Sequence, residues 1–359
     1  MASIKQYKTA KGTAWRVQYR SPDGRARTKQ GFRTKGEATS WAASNTVAAD
    51  TGTWIDPRAG KRTIGEIGDQ LLEHRTHLKP SSLAKQQAVW KSIRPKWGDR
   101  QVGTIRPSEI REWIAGLELS ASQIQQYHAL LAQILDAAVA DHMIPANPAR
   151  GVKLPRRPAP KKVYLTIPQL RMLADECPRH APIVWVLGTV GLRWGELAGL
   201  QVGDIDFLRG RIHIRRNAVQ VGREVIVGTP KTHLCRTVAV TPFVLDMLEP
   251  LTRGKTQTDW IWTAKDGGPM KNTGSTSWLS RAVKRIQETK DPNFPHVTAH
   301  SLRHVAAGIM VSSGANVKVV QRQLGHASAA MTLDTYADLF DGDLDEVAGA
   351  MNEALSTQA

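Results

Sequence analysis

The sequence predicts a multidomain α+β protein. A small three-stranded sheet with one helix comes first, then a four-helix unit, then a mainly helical domain with a small antiparallel sheet. Two observations lead there. At 359 residues and 41% hydrophobic content, the chain has room for two or three domains with substantial cores. The apolar period is two near the N-terminus, helical over residues 63–147, and mixed from Thr166 onward. Charge narrows the partner. Forty-nine Lys and Arg against 32 Asp and Glu give a formal net charge of +17. Such a surface suits a polyanion, nucleic acid first and an anionic membrane surface second. No apolar run is long enough to span a bilayer, and the N-terminal residues lack a signal-peptide core. Cys177 and Cys235 define neither a metal spacing nor a disulfide framework, so a reducing cytoplasm is the expected setting.

Residues 1–57 read as a small basic module. Trp15, Val17 and Tyr19 alternate with Arg16, Gln18 and Arg20, the pattern of a half-buried strand. A Ser-Pro-Asp-Gly turn at residues 21–24 leads to a partner strand on which Arg25, Arg27 and Lys29 share a face. Thr34 and Glu37 form a capping box that opens a helix through Trp41, ending near Gly52. The expected polar face therefore carries Arg16, Gln18, Arg20, Arg25, Arg27 and Lys29. That array fits a major-groove reader, and equally a solvated outer face.

Residues 63–149 are helical throughout. Thr63 with Glu66 caps a first helix, which the Leu78-Lys-Pro80 stretch is expected to end. A second is expected over residues 82–93, broken by Arg94-Pro95, and a third over 107–117. Ser120 with Gln123 caps a fourth, whose Ile124, Tyr127, Leu131, Ile134, Leu135 and Ala138 form one apolar stripe. Residues 150–163 are rich in proline and cations, suited to an extended tether that can follow a phosphate backbone.

Residues 164–359 form the last domain. Thr166 with Gln169 starts a helix, residues 182–189 form a buried one, and Gly191 ends it. Three short strands are expected at 211–216, 225–227 and 236–240, with Lys231 in the turn between the last two. Helices follow, the last over residues 344–355 with Leu344, Val347, Met351 and Leu355 as an apolar stripe suited to docking.

One cluster carries chemistry. His300 and Arg303 stand three apart at a helix start and emerge on one face. Arg offers a planar donor fork for phosphate oxygens, and His exchanges protons near neutral pH. Gly325 ends a further helix and leaves His326 at the head of a loop, and Tyr336 follows in a short segment able to dock beside them. Each feature alone is weak: an HxxR pair, a helix stop, a half-buried tyrosine. Upstream stand Gly191-Leu-Arg193-Trp-Gly-Glu196-Leu, and Thr229-Pro-Lys231-Thr ahead of Arg236-Thr-Val-Ala-Val240. In this order and spacing the set resembles the signature of the tyrosine recombinases, the phage integrase family. The resemblance covers roughly the second half of the chain, and its six positions are specific.

The resemblance implies a division into an arm-type DNA-binding module (1–57), a helical core-binding domain (63–149), a basic linker (150–163) and a catalytic domain with its tail (164–359). It implies that Arg193 and Arg303 clamp a scissile phosphate, that His300 relays a proton to or from the tyrosine, and that His326 bonds the crowded phosphorus centre. Lys231 would protonate the departing 5′-hydroxyl and Tyr336 would form a 3′-phosphotyrosyl bond. Glu196 would orient the cations, while His304 and Trp194 pack beside the site. No metal or nucleotide cofactor is expected: HExxH, GxxxxGK[ST] and CxxC are absent, and Asp204 and Asp206 read as turn residues. Expected partners are double-stranded DNA at core-type and arm-type sites, three further copies in a homotetramer, a host DNA-bending protein and a directionality factor. The setting would be the bacterial cytoplasm, with no membrane partner. Val305, after Arg303-His304, departs from the small hydroxyl residue expected there. A type IB topoisomerase-like relaxing enzyme and a non-catalytic DNA-binding protein on the same scaffold are the alternatives.

Overall fold

The structure is a computed structural model. It describes residues 2–359 except 11, 53, 57, 159–161, 230–234, 273, 275–276, 340–348, 350, 353–354 and 357–359, and the side chain of Asp338. The described chain divides into two compact units, Met1–Ala159 and Pro160–Ala359.

The first unit opens on an antiparallel sheet ordered β1 (Ser3–Thr9), β2 (Gly12–Arg20), β3 (Ala26–Phe32), covered by α1 (Lys35–Asp50). Val17 and Ala38 are fully buried, and Ile4, Trp15, Phe32 and Trp41 close around them. Thr34 caps α1 by accepting from the Glu37 amide at 3.1 Å, the local contact expected from the sequence.

The register of this sheet corrects the expected polar array. Ladder partners share a face, and β2 pairs Arg16 with Gln30, Gln18 with Thr28, Val17 with Lys29 and Tyr19 with Arg27. Arg27 and Lys29 therefore lie on the α1 side, opposite Arg16 and Gln18. Arg27 is tied there to Asp56 by two hydrogen bonds, at 2.7 and 3.3 Å. Arg25 precedes β3 and pairs with Asp23. The hairpin sets this phase: its turn aligns odd residues of one strand with odd residues of the other. The outer face carries Lys5, which pairs with Arg16, together with Gln18, Arg20, Thr28 and Gln30.

Four helices follow: α2 (Ile64–Glu73), α3 (Pro80–Trp97), α4 (Pro107–Ala115) and α5 (Ala121–Ala140). Capping boxes at Thr63/Glu66 and Ser120/Gln123 open α2 and α5. Two expected boundaries move. Helix α2 stops at Glu73, before Leu78, and Pro80 instead serves as the first residue of α3. Helix α3 continues through Pro95 to Trp97. An interior proline costs about 3 kcal/mol, but here the following turn buries Trp97 completely, edge-on to Trp113 at 5.4 Å. Burying such side chains returns roughly 1.5–3 kcal/mol each.

In the second unit α6 (Ile167–Asp175) is capped by Thr166. Helix α7 (Ala181–Trp185) widens into a π turn over Val186–Val190, and α8 (Trp194–Ala198) follows the Gly191 turn. Strands β4 (Ile205–Asp206) and β5 (Arg211–Ile214) join β8 (Arg236–Ala239) in one antiparallel sheet. Strands β6 (Asn217–Val221) and β7 (Glu224–Gly228) form a separate two-stranded ladder. The strand expected over 211–216 thus ends at Ile214, and the one expected at 225–227 pairs with β6, whose five residues were not anticipated. Then come α9 (Pro242–Thr252), α10 (Trp278–Thr289), α11 (Ser301–Ser312), α12 (Val317–Leu324) and α13 (Ala329–Tyr336). One large core joins α6–α10 to the inner faces of the sheet, and Val305 on α11 is fully buried in it. Apolar neighbours rather than a hydroxyl partner explain the valine at that position. Asp204, expected in a turn, is buried and bonded three times by Arg216. Leu344 and Val347 of the expected terminal stripe lie outside the described residues, and Met351 and Leu355 are exposed. No helix among the described residues is long and apolar enough to cross a membrane.

Candidate active site

Two glycine turns build the site. Gly191 has φ +77° and Gly325 φ +69°, conformations that side chains rarely adopt. Space forbids a side chain as well. A Cβ on Gly191 would stand 2.5 Å from Leu324 Cδ2, and one on Gly325 2.7 Å from Arg236 Nε. The two turns are cross-linked by cations. Arg303, 3% exposed, donates to Gly191 O and Leu324 O, both at 2.7 Å. Arg193 reaches Gly325 O at 3.4 Å. Backbone carbonyls thus fix the Arg303 fork in place. Burial, then the neighbouring Arg193 charge, pushes its pKa down to about 9, which still leaves it cationic at neutral pH.

Glu196 holds the cations together. Its carboxylate is 1% exposed and accepts from Arg193 Nη1 at 2.9 Å and from the Arg193 amide at 2.9 Å. Arg236 grips the same carboxylate with both terminal nitrogens, at 2.7 and 2.8 Å. Burial alone would raise this carboxyl. The Arg236 fork and then Arg193 overcome it and hold the pKa at about 2.

The nucleophile candidate sits beside this cation network. Tyr336, at the end of α13, is 1% exposed and packs with Ala307, Val320 and Leu324. Its hydroxyl lies 3.0 Å from His304 Nδ1. The His326 ring stacks against the Tyr336 ring with centroids 6.1 Å apart, and His326 Nδ1 meets Thr332 Oγ1 at 2.9 Å. Thr332 and Tyr336 are four apart on α13, so one helix face carries the tyrosine and the group that orients His326. His300 stands edge-on to His304 at 5.3 Å. One side of His300 is open to solvent. Desolvation on the other, and then the Arg303 and Arg193 charges, lower its pKa. Burial, reinforced by neighbouring cations and histidines, pushes His304 and His326 down to about 4. Burial raises Tyr336 against the opposing pull of Arg303.

Such a cluster can bind a phosphodiester anion between two fixed forks and present a phenol to its phosphorus. The family model described as the phage integrase family matches residues 167–342, which contain the whole arrangement. Residues 167–342 form a phage integrase family domain. Among its relatives, the integrase of Mycobacterium phage L5 is 25% identical over 347 residues, 91% of this chain and 91% of that protein. The Tn1549 transposon integrase, solved with a circular intermediate DNA, matches with a TM-score of 0.68 at 22% identity, covering 79% of this chain and 99% of that one. The lambda integrase tetramer bound to a Holliday junction matches with a TM-score of 0.57 at 16% identity, covering 90% and 96%. These two likenesses speak for an integrase fold.

Of the expected site residues, the structure brings Arg193, Glu196, His300, Arg303, His326 and Tyr336 into one cluster. Lys231 lies outside the described residues. The ring that touches the phenol is that of His304, expected only to pack; among the described residues no hydrogen bond joins His300 to Tyr336. Arg236 and Thr332 were not anticipated at all. A signal for Arg236 exists in β8, where it stands in phase with the buried Val238 and Val240, so a cation there needs a buried partner.

Proposed function

We infer that this integrase-family chain is a site-specific DNA recombinase, an enzyme that cleaves and rejoins DNA. The observation that carries the reading is the convergence of Arg193, Arg303, His300 and His326 on Tyr336. Arg193 and Arg303 neutralise the two non-bridging oxygens of the scissile phosphate, and His326 bonds one of them through its Nε2–H, the tautomer favoured when the Thr332 hydroxyl donates to Nδ1. Tyr336 attacks phosphorus and displaces the 5′-oxygen, which takes a proton from Lys231. The resulting 3′-phosphotyrosyl bond conserves the phosphodiester for rejoining to a second strand. Glu196 keeps Arg193 in register by holding it against Arg236.

Residues 63–149 and 164–359 serve a core duplex. The outer face of the N-terminal sheet, with Lys5, Arg16, Gln18, Arg20, Thr28 and Gln30, serves a separate arm duplex. Support comes from the mixed cations and amides on one strand face, a chemistry suited to phosphates and base edges. A tetramer on a junction, as solved for lambda integrase, is the assembly in which strands are exchanged. A DNA-bending protein and a directionality factor would choose between integration and excision of a phage or mobile element.

The test is covalent selection from a random-sequence duplex library. Wild-type protein should yield denaturation-resistant adducts that enrich one sequence, and paired copies of that sequence should recombine. Tyr336→Phe should bind the sequence and form no adduct. Adducts that only relax supercoils, with no exchange between paired sites, would move the reading to a topoisomerase; normal adduct levels from Tyr336→Phe would remove the nucleophile.

A further inference from the structure

Among the described residues the Tyr336 hydroxyl has one hydrogen-bond partner, His304 Nδ1 at 3.0 Å. We propose that His304 is the base that takes the phenolic proton of Tyr336 during cleavage and returns it during rejoining. The inference rests on the recombinase reading and adds a catalytic residue to it.

The three histidines of the cluster sort by what each ring reaches. His300 and His304 are four apart in sequence at the start of α11, and their rings meet edge-on. His300 lies toward Arg303 and Arg193, the phosphate side, and is open to solvent. His326 is engaged at Nδ1 by the buried Thr332. Of the three, His304 is the one hydrogen-bonded to the phenol. In the proposed role Nδ1 accepts from the phenol, which requires a neutral ring with its proton on Nε2.

The step balances. The phenolic oxygen attacks phosphorus as its proton passes to Nδ1, leaving an imidazolium. The bond from phosphorus to the 5′-oxygen breaks, and that oxygen is protonated by the general acid. In rejoining, a 5′-hydroxyl attacks phosphorus, the tyrosyl oxygen leaves, and His304 returns the proton to it.

The surroundings also couple the base to substrate. His304 is faced by His300 and Arg303 from its own helix, by Lys162 from the segment ahead of α6, by Tyr336 from α13 and by His326 from the loop before it. Burial and these cations hold its pKa at about 4 without DNA, while burial raises that of the phenol, so the proton stays on Tyr336. A phosphodiester anion between Arg193 and Arg303 offsets their charge and strengthens His304 as a base. The nucleophile is thus activated where a phosphate is bound.

The experiment uses full-length protein and the duplex recovered by covalent selection, nicked beside the scissile phosphate so that adducts accumulate. His304→Gln can still accept a hydrogen bond from the phenol but cannot take its proton. It should bind the duplex as wild type does and form adduct about 10²–10⁴-fold more slowly, the usual range for a lost acid–base group. Its residual rate should climb with pH, as hydroxide replaces the base, where the wild-type rate has levelled off. His304→Ala should be rescued by added imidazole, with the rescue following the neutral fraction of imidazole; a misfolded protein would not respond this way. An adduct rate for His304→Gln within about threefold of wild type across the pH range would overturn the proposal. So would a loss that keeps the wild-type pH profile and ignores imidazole, which would mark a structural role. If wild type itself gave no Tyr336-dependent adduct, the recombinase reading would fall first; normal wild-type adducts beside indifferent His304 variants would overturn this inference alone.

Discussion

The N-terminal sheet and the Tyr336 cluster both present cations, yet they hold them in opposite ways. On the outer face of the sheet, Arg16 and Lys5 stand on paired strands, with the Arg16 guanidinium carbon 5.9 Å from the centre of the Tyr7 ring. The supporting core is thin, with Val17, Ala38 and Ala42 as its buried members. In the cluster, Arg303 is 3% exposed and held by two carbonyls, and Arg193 and Arg236 share one buried carboxylate. A cation at the surface contributes affinity by displacing counterions, whatever its angle. A fixed one contributes geometry, because donors set before the reaction need no reorganisation in the transition state. The same residue type is therefore suited to two jobs, and burial decides which.

The largest expected effect tests that contrast at Arg303. Arg303→Lys should slow adduct formation at least ~100-fold, about 2.7 kcal/mol of barrier. A single ammonium cannot hold both carbonyls and face a phosphate oxygen as a planar fork does. Single-turnover cleavage of the nicked duplex measures it, and a loss below threefold would mean that charge alone suffices there.

Acid stability should expose the cluster next. Glu196 has a folded pKa of about 2 against an unfolded value near 4.5. Its stabilising contribution is complete above 4.5 and is lost as pH falls towards 2. His304 and His326, at about 4 against 6.5 unfolded, are kept neutral by the fold. Between 6.5 and 4 the unfolded chain binds more protons, so stability also falls with pH in that window. Thermal melts should therefore decline from near pH 6.5, earlier than carboxylates alone would dictate. The His304→Gln, His326→Gln double variant should decline less steeply than wild type between pH 6.5 and 4. If both proteins decline in parallel, the buried histidines are not the cause.

The smallest effect belongs to the sheet. On a mixed-sequence duplex, Lys5→Ala with Arg16→Ala should flatten the salt dependence of binding by about 0.9 for each phosphate no longer neutralised. Lys29→Ala, on the α1 side, should leave the slope unchanged. Equal effects from both faces would dissolve the assignment of the outer face to DNA.

Features legible in the sequence were those with local causes. Thr63 with Glu66 and Ser120 with Gln123 formed the boxes their spacing implied, because a cap involves only residues three apart. Gly191 and Gly325 ended their elements as expected, since a positive φ at a helix end is a local property. Less legible were features that depend on a partner distant in sequence. Pro95 fails to stop α3 because Trp97 gains a buried site against Trp113. Arg27 reads as one more surface cation until strand register turns it toward Asp56.

By itself the sequence determined the order of the secondary-structure patterns, the basic character of the chain and the residue types of the cluster. Those follow from composition, period and spacing along one chain. Which histidine meets the phenol was decided only in three dimensions. His300 and His304 are four apart in sequence, and α13 docks its tyrosine hydroxyl 3.0 Å from the second of them. Hydrogen bonding distinguishes two rings a single turn apart; sequence spacing does not, because the distance that matters is set by the packing of another helix.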